Sequence, residues 1–215
     1  MKRVIAFAIA SAAVAGLHAQ DEVPAFEALY LHGRERLAAT TSIQAAFVET
    51  TSSSLLLEPV VSTGTVVAAE SGRVAMLYDA PEPRTVVIGA DRLVVHWPDR
   101  DQTETLNIVE VRARVRRYFV DVSAAELRGL FDIEVSRDRE MPGTYLVTMT
   151  PRRRQIQDAI AGLRIWVDGD TSLMARMAIV FSNGDSRDFR FEDVETNVAV
   201  DESLFAVLPA TQGSP

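Results

Sequence analysis

The 215 residues contain no cysteine, which excludes a disulfide framework, thiolate metal ligation, thiol catalysis and the lipidated cysteine of a lipoprotein. Any anchor to a membrane would have to be non-covalent. Histidine is scarce too, with three in the chain, none at H-x-x-x-H or H-x-H spacing, so zinc has no ligand set to draw on. Asp168-Gly169-Asp170-Thr171-Ser172 opens like a calcium loop, but Ile179 stands at the twelfth position, where a bidentate Glu belongs. It reads as a hairpin turn. The G-x-S-x-G, G-x-x-x-x-G-K-[ST] and G-x-G-x-x-G patterns are absent, leaving nucleophile-elbow and phosphate-loop chemistry unsupported. Carboxylate pairs carry no information among 30 acidic residues. Positive charge is in deficit as well: Lys and Arg number 22 and the formal charge is −8, which argues against nucleic acid as a partner. No catalytic residue, metal or cofactor is expected.

The longest apolar run, Val4 to Leu17, is shorter than the roughly 20 residues that span a bilayer. Lys2 and Arg3 precede it, and Leu17-His18-Ala19 ends in a small residue before the polar Gln20-Asp21-Glu22. This is the three-part layout of a secretory signal, with cleavage expected after Ala19. Residues 1–19 are therefore read as a signal peptide and residues 20–215 as one exported, soluble domain. A chain of this length can bury about 70% of its unfolded surface, enough for a core without disulfides.

After Pro24, residues Phe26, Leu29, Gly33 and Leu37 recur on one helical face. From Ser42 the texture turns to β. Ile43 to Thr50, Thr63 to Glu70, Arg73 to Tyr78, Arg84 to Ile88 and Arg92 to Trp97 are short runs rich in Val, Thr and aromatics, separated by Gly, Pro and Asp turns. A second helical region covers Ile108 to Phe131, with Val111, Val115, Tyr118 and Phe119 set against arginines, and Ser123-Ala124-Ala125-Glu126 forming a capping-box sequence. Strands return at Phe131 to Ser136, Tyr145 to Thr150, Leu163 to Val167, Leu173 to Phe181 and Arg187 to Phe191, with two-residue hairpins expected at Asp168-Gly169 and Asn183-Gly184. Arg73 to Tyr78 and Leu173 to Phe181 are apolar on both alternating faces. The expected class is mainly β (α+β), an antiparallel sheet curled into a half-barrel with helices over one face.

Arg112, Arg114, Arg116 and Arg117 stand out on an acidic chain. They read either as the solvated face of a helix or as a docking patch for an acidic partner or anionic headgroups. Arg152-Arg153-Arg154 has the same two readings. The excess of apolar strand positions fits a pocket lined by hydrophobic side chains, and equally an ordinary packed core.

The ordered series Phe47-Val48-Glu49-Thr50, Leu56 to Gly64, Arg73-Val74-Ala75-Met76-Leu77-Tyr78-Asp79-Ala80-Pro81, Val86 to Leu93 and His96-Trp97-Pro98 resembles the periplasmic outer-membrane lipoprotein carriers of the LolA-like family. The C-terminal run resembles it too, through Leu163 to Val167, Ile179-Val180-Phe181, Asn183-Gly184-Asp185, Phe189, Phe191, Asn197 and Phe205. The resemblance implies an incomplete antiparallel β-barrel whose hydrophobic cavity takes acyl chains, with helices as its cover. It implies a periplasmic, monomeric carrier that meets an inner-membrane donor complex and an outer-membrane acceptor, touching membranes transiently at most. By matching positions, Val74, Met76, Tyr78, Val86, Ile88, Val94 and His96 would line the cavity from the strands, and Phe26, Leu29, Phe119, Leu127 and Leu130 from the helices. Glu70 aligns with a lid-contacting arginine of the family, with Arg73 nearby. The alternative that the resemblance allows is a periplasmic sensor or regulatory module using the same fold to bind a partner protein.

Overall fold

The computed structural model describes residues 23–69, 72–120 and 122–206. The expected signal segment, Glu70 and the Phe119 side chain lie outside the described residues. Helix α1 (Phe26–Ala38) buries Phe26 and Leu29, while Leu31 and Leu37 are exposed. Six strands follow, β1 (Ser42–Ser52), β2 (Val60–Ala69), β3 (Val74–Ala80), β4 (Arg84–Ile88), β5 (Arg92–Trp97) and β6 (Gln102–Asn107). The chain then forms α2 (Val109–Val115), a π-helical turn at Arg116–Val120, and α3 (Ala124–Leu130). Five strands complete it, β7 (Phe131–Arg137), β8 (Thr144–Pro151), β9 (Ile160–Asp168), β10 (Met174–Phe181) and β11 (Ser186–Thr196), with the short α4 (Arg154–Gln157) before β9 and a 3-10 turn at Glu202–Phe205 at the end.

All eleven strands form one sheet in the order β6-β5-β4-β3-β2-β1-β11-β10-β9-β8-β7. Each neighbouring pair is antiparallel. The outermost strands β6 and β7 do not pair with one another, so the sheet is an open half-barrel. This topology explains the cover. Because β6 ends at one edge and β7 begins at the other, the intervening chain must cross the open side, and it does so as α2, the π turn and α3. The expected capping box starts α3: Ser123 Oγ accepts from the Glu126 amide at 3.2 Å, and the Glu126 carboxylate accepts from the Ser123 amide at 2.7 Å. Glu27 of α1 pairs with Arg128 of α3 at 2.5 Å, joining the two covering helices.

The hydrophobic core has two parts. Under the helices, Phe26, Leu29 and Leu127 pack on Phe131, Ile133, Val147, Met149 and Leu163 of β7 to β9. On the opposite, convex face of the other wing, Phe205 packs on Val67, Ala75 and Val87. Gly64 sits at a register shift between β2 and β3, where a Cβ would lie 2.0 Å from the Leu77 carbonyl oxygen and 3.0 Å from the Phe47 ring. Any side chain there would displace backbone.

Four local features depart from the sequence reading. Strand β6 was not foreseen, because Gln-Thr-Glu-Thr-Leu-Asn is exposed throughout and shows no buried face. The Asn183-Gly184 hairpin closes with three loop residues, the Phe181 amide bonding the Asp185 carbonyl, and Gly184 takes the left-handed conformation that ends such a loop. Asp168-Gly169 likewise opens a longer loop, in which the Asp168 amide bonds the Leu173 carbonyl. Finally, the valines of α2 do not pack inward: Val111 and Val115 are 57% and 46% exposed.

Candidate functional site

Between α1 and the concave face of the sheet lies a cavity of about 520 Å³. Phe26, Leu29, Leu37 and Leu127 cover it; Ile43, Ala45, Val66, Ala68 and Val74 wall it on β1 to β3, and Val147, Met149, Ile165, Val167 and Phe191 on the other wing. The space exists because the side chains meeting there are small. Ala45 faces Val66 and Ile43 faces Ala68 across β1 and β2, and Gly33 is the residue α1 presents beside Ser172. Among the described residues, Arg34 is the sole charged one in the lining. Leu37 and Met174 are 55% and 40% exposed, which marks their side as the mouth.

Of the residues expected at the cavity, Phe26, Leu29, Leu127 and Val74 line it. Met76, Val86 and Ile88 share its face, since Val66 pairs with Met76, Met76 with Val86 and Val74 with Ile88, but they continue the concave surface beyond the lining. Leu130 is half-buried against the core beneath the helices. Val94 and His96 are on the opposite face. The β4–β5 turn places two residues, Ala90 and Asp91, between the bonded pair Gly89 and Arg92, so even positions on β4 face odd positions on β5. Ile88 pairs with Leu93 and Val86 with Val95, and it is Leu93 and Val95 that extend the concave surface. Ala45, Ala68 and Phe191 were missed, although the alternation in β1 and β11 was a usable signal.

Tyr78 is on the concave face but in a polar cluster, not the cavity. Its hydroxyl donates to the Glu49 carboxylate at 2.7 Å, its ring meets Phe47 edge-on at 5.0 Å, and the Arg84 guanidinium lies 3.7 Å over it. Glu49 is buried and also faces Arg187 at 3.5 Å. Burial first, then the hydrogen bond to Glu49 and that carboxylate's charge, push the Tyr78 hydroxyl up to about 12. The cluster ties β1, β3 and β11 together.

Arg73 turns to the convex face, where it pairs with Glu202 at 2.6 Å and lies 4.7 Å over the Phe205 ring. The structure thus sets Arg73 against the C-terminal turn. Arg112 donates to the carbonyls of Gly89 and Gly72 and fastens α2 to two hairpin turns. Arg114, Arg116 and Arg117 are exposed beside the uncovered valines of α2. His32 is exposed, and His96 meets Thr103 at 3.0 Å. Among the described residues no three or more His, Asp or Glu side chains gather as a metal site, and no helix is long and apolar enough to cross a membrane.

The chain is thus an open half-barrel with an apolar cavity beneath its helices. The chain belongs to the family described as outer membrane lipoprotein carrier protein LolA, whose model matches residues 38–207. No curated protein matches it. Among solved structures it is similar to the lipoprotein LppX of Mycobacterium tuberculosis, at 16% identity and a TM-score of 0.53, covering 81% of this chain and 97% of that one. It is also similar to a chain of the MucA/MucB complex of Pseudomonas aeruginosa, at 20% identity and a TM-score of 0.50, covering 83% of this chain. There it spans 59% of the other chain's length. At these identities the likeness shows a shared fold.

Proposed function

We propose that this protein is a periplasmic carrier that shields the acyl chain of a lipoprotein or another acylated lipid on its way to the outer membrane. The observation that carries the reading is the apolar cavity between α1 and the sheet, in a chain of the lipoprotein carrier family. A sixteen-carbon chain left in water is disfavoured by about 12 kcal/mol, so transit between membranes requires such an enclosure. The chain's own residues bind and exclude water; no bond is made or broken. Export would follow from the signal-like residues 1–19. Arg114, Arg116 and Arg117, with Val111 and Val115 beside them, supply a basic and apolar surface for meeting a donor or an acceptor.

The test is native mass spectrometry with lipid extraction on protein purified from periplasm, alongside Val74→Trp, which fills the cavity from β3. Co-purified lipid or uptake of a fluorescent fatty acid, reduced at least about tenfold in the variant while its melting temperature is kept, is the expected result. A lipid-free protein that takes up no acyl probe would overturn it.

A further inference from the structure

Among the described residues, the two most exposed large apolar side chains are Leu57 and Leu55, at 106% and 91%, and both stand at the tip of the hairpin between β1 and β2. We propose that this tip, together with the arginines of the neighbouring α4 segment, is a docking surface for an anionic lipid bilayer. The tip is held by its own backbone and serines. Ser53 Oγ accepts from the Leu55 amide at 3.2 Å, and the Ser53 carbonyl accepts from the Leu56 amide at 3.1 Å. A turn closed by such local bonds does not need its leucines for packing, yet it fixes where they project. Each leucine that leaves water for hydrocarbon strengthens partitioning by about tenfold or more.

The topology brings a second, independent feature to the same end. Ser52 closes β1 opposite Ser186 of β11, Ser186 pairs with Val180 of β10, and Phe181 pairs with Ile160 of β9. The β1–β2 tip, the β10–β11 loop and α4 therefore lie side by side at one margin of the sheet. They are bonded to one another as well: Ser182 donates its amide to the Ala159 carbonyl at 3.1 Å and its hydroxyl to the Asp158 carbonyl at 2.8 Å, and Asp185 accepts from the Ser53 hydroxyl and the Ser54 amide. The α4 segment carries the basic run. Arg152 pairs with Asp132 at 3.0 Å, and Arg153 and Arg154 beside it are exposed. Helix α2 is fastened at the opposite margin, where Arg112 reaches the β2–β3 and β4–β5 turns, so this surface is separate from the basic patch of α2. Shape and charge together select the occupant. A convex tip with bare leucines has no walls for a protein partner to fit, whereas a bilayer takes apolar side chains from a protruding tip and cations at the level of its anionic headgroups. Glu58 follows the leucines, so the attraction to anionic lipid comes from α4 and the anchoring from Leu55 and Leu57.

The experiment floats full-length mature protein with vesicles of phosphatidylcholine alone and of an equal mixture of phosphatidylcholine and phosphatidylglycerol, at low and at high salt. The expected result is binding to the mixed vesicles that weakens as salt rises. Leu55→Ser combined with Leu57→Ser should lower that binding by at least about tenfold at an unchanged melting temperature. Arg153→Gln and Arg154→Gln should each lower it by about fivefold, on the mixed vesicles only. Val74→Trp, which fills the cavity, should dock as the parent does, so failure of docking and failure of the carrier reading are told apart. Because the chain has no cysteine, Leu57→Cys takes a single polarity-sensitive dye, whose emission should move to the blue when mixed vesicles are added. The same dye on Val111→Cys of α2 should not respond. Absence of vesicle binding, or equal binding by the leucine variant, would overturn the proposal. So would a response at α2 in place of the tip, or a blue shift without vesicles that grows with protein concentration, which would make a second copy of the chain the occupant.

Discussion

The two wings of the sheet bury their apolar residues on opposite sides. In β7 to β9 the core lies on the concave face, where α1 and α3 fill the curve with Phe26, Leu29 and Leu127. In β2 to β4 the core lies on the convex face, under Phe205, while Val74, Met76, Val86 and Ile88 on the concave face are only half-buried. Strands of the second wing are apolar on both faces for two different reasons. One face holds the fold together and the other is left as a surface for something else. The cavity sits where the two regimes meet, walled by small residues of β1 and β2.

The largest expected effect separates these roles directly. Phe205→Ala removes the aromatic that covers the convex face and should cost about 3 kcal/mol in urea unfolding while acyl binding is unchanged. Loss of binding in proportion to stability would show that the two faces are not independent. Adjacent positions in β4 give a finer contrast. Val87 is buried on the convex face, so Val87→Ala should cost about 1.5 kcal/mol, whereas Val86→Ala on the half-buried concave face should cost less than about 0.5 kcal/mol. Equal costs would mean that the concave face is packed as a core.

The last contrast concerns the polar cluster at the other end of the concave face. Tyr78→Phe leaves Glu49 without its 2.7 Å donor and should cost about 1 kcal/mol at neutral pH. The hydroxyl is raised in the folded protein to about 12, above the ordinary tyrosine value near 10. Its stabilising share is therefore complete below pH 10 and is lost as the pH rises through 12. The difference in unfolding free energy between the parent and Tyr78→Phe should shrink over that interval; a constant difference would show that burial and Glu49 do not hold the proton.

Much of this arrangement was legible in the residues. Helix α1 followed from the spacing of Phe26, Leu29, Gly33 and Leu37, and the capping box placed the start of α3. Strands β3 and β10, apolar on both faces, were read as buried on both sides, whereas Val74, Met76 and most of β10 are only half-buried, because periodicity does not say whether a neighbour or a void lies opposite. Val94 and His96 show where the reading failed: strand parity is carried through a hairpin by its loop length, and Gly-Ala-Asp permits more than one. Strand β6 was hidden because an edge strand with no buried face carries no alternation. The role of Arg73 depended on a C-terminal turn more than a hundred residues away, and no local pattern encodes such a contact.

The segment from Ile108 to Leu130 is fixed at one end to β6 and at the other to β7, the two free margins of the sheet. It works as a drawstring across the half-barrel. Any ligand that splays the margins apart must pull this segment taut, straightening the chain around the π turn at Arg116–Val120 or unseating Arg112 from the carbonyls of Gly72 and Gly89. The width of the opening and the posture of the arginine-bearing helix are one mechanical variable.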